Sequence, residues 1–547
     1  MFFRQKRAKG YTYLQIVENR WEEGKTRQRV LGTLGRLDRL QEDGQLEALL
    51  ESGARFAHSM LVISEHRRGE LPRVGTRRIG ASMVFDRLWK ETGCAEVIET
   101  LLAERSFEFP VERAIFLEVL HRLVSPGSDR SCVTWRDSYR IEGIETLELH
   151  HAYRAMAWLG ETLEEEPAQD ALAPRSTKDR IEEALFDRDR DLFSGLELVF
   201  FDTTSIYFEG EGGETIGRFG HSKDHRKNRK QMVVGVVLDQ EGRPICCELW
   251  PGNTTDVKTL LPVAERLSQR FGIGRVCVVA DRGMIKKATL TELEERGWDY
   301  IVGTRMRNQK EVRDEVLSRG GRYQEVFPPR SSTKDPSPLK VKEVSVDERR
   351  YVVCLNEEYA AKDRSDREAI VASLEDRLRQ GATSLVGNRG YRRYLSARGE
   401  GFEIDEKKIE RDRRYDGKWV LRTTTDLPAA DVALAYKMLW MVEDIFRTMK
   451  SLLETRPVYH RTDAAIRGHV FCSFLALRLR AELEARLAAR GESFEWTAVV
   501  RDLDRVEEVE VEKDGKRFLL RTDSPGVAGK VFQAAGVALP PTLREVS

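Results

Sequence analysis

The chain has no long hydrophobic run, no C-x-x-C pair, no G-x-x-x-x-G-K-[ST] loop and no net charge. Each absence removes a class of function. No stretch approaches the roughly 20 apolar residues of a membrane helix. The start, MFFRQKRAKGYTYLQ, lacks the apolar core of a secretory signal. The expectation is a soluble, cytoplasmic protein with no membrane partner. Its seven cysteines, at 94, 132, 246, 247, 277, 354 and 472, are odd in number and sit mostly in apolar runs. They read as reduced, buried thiols rather than a disulfide framework. The nine histidines are scattered without metal-ligand spacing. Without a phosphate loop, chemistry driven by nucleoside triphosphates is not expected. Because 91 basic residues balance 91 acidic ones, the total charge names no partner. There is no internal repeat and no low-complexity tract.

What is present begins with size. At 547 residues and 40% hydrophobic, the chain can bury a sizeable core and should divide into domains. Charge is uneven locally. Residues 1–40 carry ten Lys/Arg against four Asp/Glu, and RFGHSKDHRKNRK (218–230) carries six against one. Such patches suit nucleic-acid contact, though a solvated surface reads the same way.

Hydrophobic spacing predicts two basic strands around a turn at Glu23-Gly24, within residues 1–37. A mostly helical region follows over 38–194, with apolar residues at three- and four-residue steps. From Glu197 the pattern turns to short strands. ELVFFDT, then QMVVGVVLDQEGRPICCELWPGN folded around Gln240-Glu241-Gly242, then helix 256–272, strand RVCVVADRG, a helix and strand WDYIVGTR read as β-β-β-α-β-α-β. That order describes a mixed sheet with helices over 195–305. Residues 306–424 interrupt it with short strand-like pieces and one charged helix (363–380). Residues 425–490 hold two helices, 428–453 and 464–489, and 491–547 form a C-terminal region.

Asp202 and Asp281 each follow an apolar run, and strand ends are where α/β sheets collect ligands. Either one alone reads better as a turn or helix cap, and the two together bring the readings level. The third carboxylate tips the balance. In helix 428–453, Tyr436, Trp440, Glu443, Arg447 and Lys450 share one stripe. Met438, Val442, Ile445, Met449 and Leu452 form the packing stripe on the other side. Glu443 therefore lies amid cations and aromatics, a setting that suits a phosphate polymer near bound metal. The plainer reading is a solvated Glu443–Arg447 pair. Three convergent acids without His or Cys ligands favour Mg²⁺ or Mn²⁺. Two such ions can activate a water or 3′-hydroxyl and stabilise the leaving oxygen of a phosphodiester. Asp256, after PGNTT, reads as a helix cap, and His469 as a satisfied packing histidine.

FFDTTSIYFEG, GRPICCELWPGNTTD, VVADRGM and YKMLWMVEDIFRTMK, in that order, resemble the DDE transposases of bacterial insertion sequences, specifically the insertion-sequence-four superfamily. That family's third-acid motif is Y-x2-R-x3-E-x6-K. Tyr436, Glu443 and Lys450 fit it, while Leu439 stands at the arginine position and Arg447 is a substitute on the same stripe. The resemblance implies an α/β, ribonuclease-H-like mixed sheet with flanking helices, interrupted by a strand-rich insertion over 306–424. It implies that Asp202, Asp281 and Glu443 hold two Mg²⁺ or Mn²⁺ ions, Asp202 bridging both. Tyr436 and Lys450 would hold flanking phosphates, and Arg226, Lys227, Arg229 and Lys230 form a basic loop able to track DNA backbone. The implied activity is recognition of the element's terminal inverted repeats, cleavage there and joining of 3′-hydroxyls to target DNA. The helical region 38–194 would bind the ends. Partners would be double-stranded DNA and a second copy of the chain, for which LRLRAELEARLAA (477–489) is the candidate contact. A silent end-binding relic and a stand-alone metal-dependent nuclease are the alternatives.

Overall fold

A computed structural model describes the chain except residues 9, 23–24, 55–57, 70, 164–173, 190–196, 225, 274–275, 328–337, 381–392, 399–400, 514 and 547. The expected turn at Glu23-Gly24 lies outside the described residues. Backbone contacts group the chain into two units, Met1–Ser82 with Asp137–Arg140 and Phe494–Ser547, and Met83–Arg136 with Ile141–Ser493.

The first unit holds two antiparallel sheets. The expected basic hairpin is Tyr11–Glu22 paired with Lys25–Arg36, and Phe2–Ala8 adds a third strand that the sequence reading missed. The other sheet pairs Arg73–Arg78, inside the region expected to be helical, with Glu507–Lys513. Lys516–Arg521 and Leu543–Val546 complete it. Alternation explains the pairing. Val509, Val511, Phe518 and Leu520 alternate onto one face and are buried with Val62, while Glu510 between the first two is half-buried.

The second unit is built on a nine-stranded mixed sheet. The expected order is observed: Glu197–Tyr207, Gln231–Leu238 and Pro244–Pro251 are antiparallel, and Val276–Ala280 and Asp299–Gly303 continue parallel from Glu197–Tyr207. Helices Leu260–Arg270 and Lys287–Glu295 supply the crossovers. Gly242, in the left-handed region at φ 79°, closes the hairpin where it was expected. Phe201, Val233, Val237 and Trp250 pack with Val263 and Leu267 on one face of the sheet. On the other, helix Trp440–Arg447 packs against the first two strands and helix Asp463–Ala489 against the third. Both faces are covered, so the strands read as continuous apolar runs.

The strand-rich stretch 306–424 is not a separate sheet. Lys418–Thr423 pairs with Asp299–Gly303, and Arg349–Asn356, Leu339–Val346 and Gln324–Val326 extend the same sheet outward. The charged helix is longer than expected, Glu357–Gln380. Leu395–Arg398 and Gly401–Ile404 pair as a small sheet of their own.

Leu477, Leu479, Leu483 and Leu487, on the helix expected to contact a second copy, are all buried. That helix packs on Val111–Val124 and Leu149–Leu159, so these leucines serve the core of their own chain. All seven cysteines are buried and outside any disulfide, as expected. Among the described residues no helix is long and apolar enough to cross a membrane.

Candidate active site

Register brings the first two acids together. The parallel ladder between the first and fourth strands ends at Phe201 opposite Ala280, so Asp202 and Asp281 are the next residues on neighbouring strands. The expectation that Asp202 ends its strand is corrected. The strand runs on to Tyr207, and Asp202 sits mid-strand opposite Val236 on its antiparallel neighbour. What ends beside Asp202 is the neighbouring strand, and that gap gives the carboxylate its outlet. Burial raises the Asp202 carboxyl to about 6, against the opposing pull of Lys223 and of the Thr203 N–H, and Asp256 and Asp281 push it further up. The Thr203 N–H donates to Asp202 Oδ1 at 2.7 Å.

Asp281 opens the short turn Arg282–Met284 and accepts from the Gly283 N–H at 3.4 Å. Its other oxygen accepts from the Tyr436 hydroxyl at 3.0 Å. Burial, and then the charge of Asp281, hold that phenol well above its ordinary range. Gly303 makes the contact possible, because a Cβ there would stand 2.4 Å from the Tyr436 oxygen.

A fourth carboxylate belongs to this edge. Asp256 does not cap its helix through its side chain. Its Oδ1 accepts from the Thr203 hydroxyl at 2.7 Å, and its Oδ2 lies 3.4 Å from Lys223 Nζ. Lys223 in turn donates to the Thr203 carbonyl at 2.6 Å. The turn Asp256–Lys258 packs against the turn that Asp281 opens. The sequence reading passed over Lys223 as part of a basic run. No local signal marks Asp256, because PGNTTD reads the same for a helix cap and for an inward carboxylate.

The helix expected over 428–453 is interrupted. Ala429–Lys437 and Trp440–Arg447 are joined by a tight turn in which Leu439, Met441 and Val442 donate to the carbonyl three residues back. A wider π-type turn follows at Thr448–Leu452. Val442 and Met449 are buried, so the packing stripe holds there. The opposite stripe diverges. Trp440 and Glu443 are exposed, and among the described residues the Glu443 side chain has no ion pair or hydrogen bond. Arg447 does not pair with Glu443; it turns to Asp444 at 2.7 Å. Leu439, at the motif's arginine position, starts the second helix half-buried. Lys450 is drawn off by Asp224, at 2.8 Å, which also takes Arg456 at 2.6 Å. Asp202, Asp281 and Glu443 are not among the described sets that offer three ligand atoms within 4.8 Å of one another.

The basic loop divides. Arg229 pairs with Glu209 at 2.8 Å and Lys230 with Glu211. Arg226 lies 5.9 Å from the centre of the Tyr207 ring, and Lys227 is exposed. His469 is a satisfied packing histidine, contacted by Arg122 at 3.0 Å and by the Thr455 carbonyl at 3.1 Å.

The edge thus gathers oxygen donors from mid-strand Asp202 and from the turns that carry Asp256 and Asp281, with a helix carrying a further acid packed against the strand of Asp202. The family described as "Transposase DDE domain" matches residues 194–479, just over half the chain. The family described as "IS1634 family transposase, N-terminal domain" matches residues 3–63. The chain belongs to the DDE transposases of insertion sequences. No curated protein matches it.

Proposed function

We propose that the protein binds the terminal inverted repeats of its own element, cleaves there, and joins the resulting 3′-hydroxyls to target DNA. Asp202, Asp281 and Glu443 are the acids that would hold two Mg²⁺ or Mn²⁺ ions in a ribonuclease-H-like domain. The observation that carries this is the register that sets Asp202 beside Asp281 under the helix bearing Glu443. The donor set fits hard divalent cations, since it is all carboxylate oxygen. When bound, the ions would activate the attacking water or 3′-hydroxyl and stabilise the leaving oxygen.

The protein's own groups do the rest. Tyr436 holds Asp281 through its hydroxyl, fixing one oxygen and leaving the other for metal. Thr203 and Lys223 tie Asp256 beside Asp202, so the edge keeps a fourth acid in reserve for orienting the first. Lys223 also places a positive charge near Asp202, limiting repulsion before cations arrive. Of the expected DNA contacts, Arg226, Lys227, Arg229 and Arg447 are exposed. Lys450, Arg229 and Lys230 reach phosphate only by exchanging their present acidic partners. Two copies, one on each element end, would carry out joining. The spacing of Tyr436, Glu443 and Lys450 supports placement in the insertion-sequence-four superfamily, and the N-terminal match supports the IS1634 branch.

The test is purified protein with end-bearing DNA and Mg²⁺ or Mn²⁺, beside Asp202→Asn and Glu443→Gln. Cleavage and joining that vanish in both variants support the proposal. Binding without cleavage in the parent protein points to an end-binding relic, and cleavage without joining to a nuclease. Activity surviving both substitutions overturns the triad.

A further inference from the structure

Away from the carboxylate edge, the helical part of the second unit buries a set of donors the mechanism does not use. Glu118 and His121 lie three residues apart on helix Val111–Val124, and so share a face. Helix Asp129–Trp135 packs on it and delivers Cys132. Each of the three offers a ligand atom, and those atoms lie within 4.8 Å of one another. Glu118 and His121 are 2% exposed and Cys132 1%. His121 Nδ1 is buried without a hydrogen-bond partner. No arginine or lysine stands at ion-pair distance from Glu118 among the described residues; it hydrogen-bonds with Asp129 and Cys132, and the Arg122 charge acts on it from further off. The Cys132 thiol reaches the Leu117 carbonyl at 3.9 Å, so the unmet group is the buried His121 nitrogen, which is costly to leave without a partner beside a carboxyl and a thiol.

We propose that Glu118, His121 and Cys132 form a binding site for a divalent cation of the zinc type, separate from the carboxylate edge. A thiolate, an imidazole and one carboxylate form a borderline-soft set that favours zinc over magnesium. Zinc bonds of about 2.0–2.3 Å place tetrahedral ligand atoms about 3.5 Å apart, so the three donors need to draw in by roughly an ångström. Charge closes as well. A dication with one thiolate, one carboxylate and a neutral imidazole is neutral, while the adjacent Asp129 is balanced by Arg122 at 3.7 Å. Loading releases two protons to solvent, one from the Cys132 thiol and one from the Glu118 carboxyl, in exchange for metal–sulfur and metal–oxygen bonds, so the two positive charges brought in balance the two released and no electron moves.

A neighbouring set, Asp129, His460 and His469, also has atoms within 4.8 Å of one another. Arg122 occupies it instead, its guanidinium 3.0 Å from His469 Nδ1. A cation already fills that corner, which is why the proposal rests on the other set. Neither set is visible from residue spacing, because 118, 121, 132 matches no metal motif and the second helix is needed to bring Cys132 in.

The test is Co²⁺ titration of the full-length, metal-free protein, read by thiolate-to-cobalt charge-transfer absorption. The expected result is one equivalent with a thiolate band, displaced by Zn²⁺. The band is lost in Cys132→Ser and weakened at least tenfold in affinity in His121→Gln. It is retained in Asp202→Asn, which separates it from the carboxylate edge. Absence of a thiolate band in the parent protein overturns the proposal without any variant. So does a band that survives Cys132→Ser, since it then belongs to another cysteine.

Discussion

Two clusters of ionisable residues in the second unit differ in how their charge is balanced. Where helix Thr177–Asp189 meets strand Pro244–Pro251 and helix Leu260–Arg270, Arg175, Lys178, Arg266 and Arg270 interlock with Asp179, Glu182, Glu183 and Glu248. Lys178 is buried, its amine 2.9 Å from Asp179 and 2.7 Å from the Cys247 carbonyl, and its pKa is raised by those anions against the burial that would lower it. Four cations meet four anions. At the carboxylate edge, Asp202, Asp256, Asp281 and Glu443 have among the described residues one ion pair between them, Asp256 with Lys223. The first cluster is complete as folded. The second is left short of positive charge, which is what a site for metal and phosphodiester requires.

Substitutions can break this contrast or sharpen it. The largest effect is expected on chemistry. Glu443→Gln should lower end cleavage at least about a thousandfold, some 4 kcal/mol of barrier. Because the Glu443 side chain has no partner among the described residues, the melting temperature should barely move; a large drop would mean the acid is structural. Lys178→Met should do the reverse, costing about 3–5 kcal/mol of stability by stranding buried carboxylates, as read by denaturant unfolding. A neutral result would show that the balanced cluster is dispensable to the fold.

Asp202→Asn should stabilise the metal-free protein. The folded carboxyl stands near 6 against an ordinary 3.8, so its ionised form is penalised by up to about 3 kcal/mol. The sign follows from proton counts. Between those two values the folded state holds the proton and the unfolded state does not, so this penalty grows as pH rises and is complete above about 6. The gain in Asp202→Asn should therefore be present at pH 8 and fade as pH falls towards 4. A gain independent of pH would assign it to packing. The smallest effect belongs to Asp256→Asn, expected to raise the Mg²⁺ requirement of cleavage about 10–100-fold while leaving DNA binding unchanged in a gel-shift assay.

Much of this edge was legible in the chain. The apolar runs before Asp202 and Asp281, and the strand and helix order between Glu197 and Gly303, follow from period and turn chemistry. The same local logic could not show that the strand continues past Asp202, since TTSIY also reads as a turn with an aromatic cluster. Nor could it find Asp256 in the site, because a cap and an inward carboxylate have the same sequence until Thr203 and Lys223 are placed. The unbroken helix expected over 428–453 failed for a related reason. Periodicity averages over a window, and a two-residue tightening at Met438 and Leu439 hardly disturbs it. The pairing of Arg73–Arg78 with Glu507–Lys513 lies beyond any window-based reading.

That last pairing also sets an order of events during synthesis. The strand at Arg73–Arg78 emerges early, yet its hydrogen-bonding partner is made only after more than 400 further residues. Chains are made from the N-terminus, and domains tend to fold as they appear. This sheet cannot, because its other three strands are still unmade. A nascent or prematurely terminated chain therefore carries an unclosed first unit, and that unit is finished only once the whole catalytic sheet has been translated.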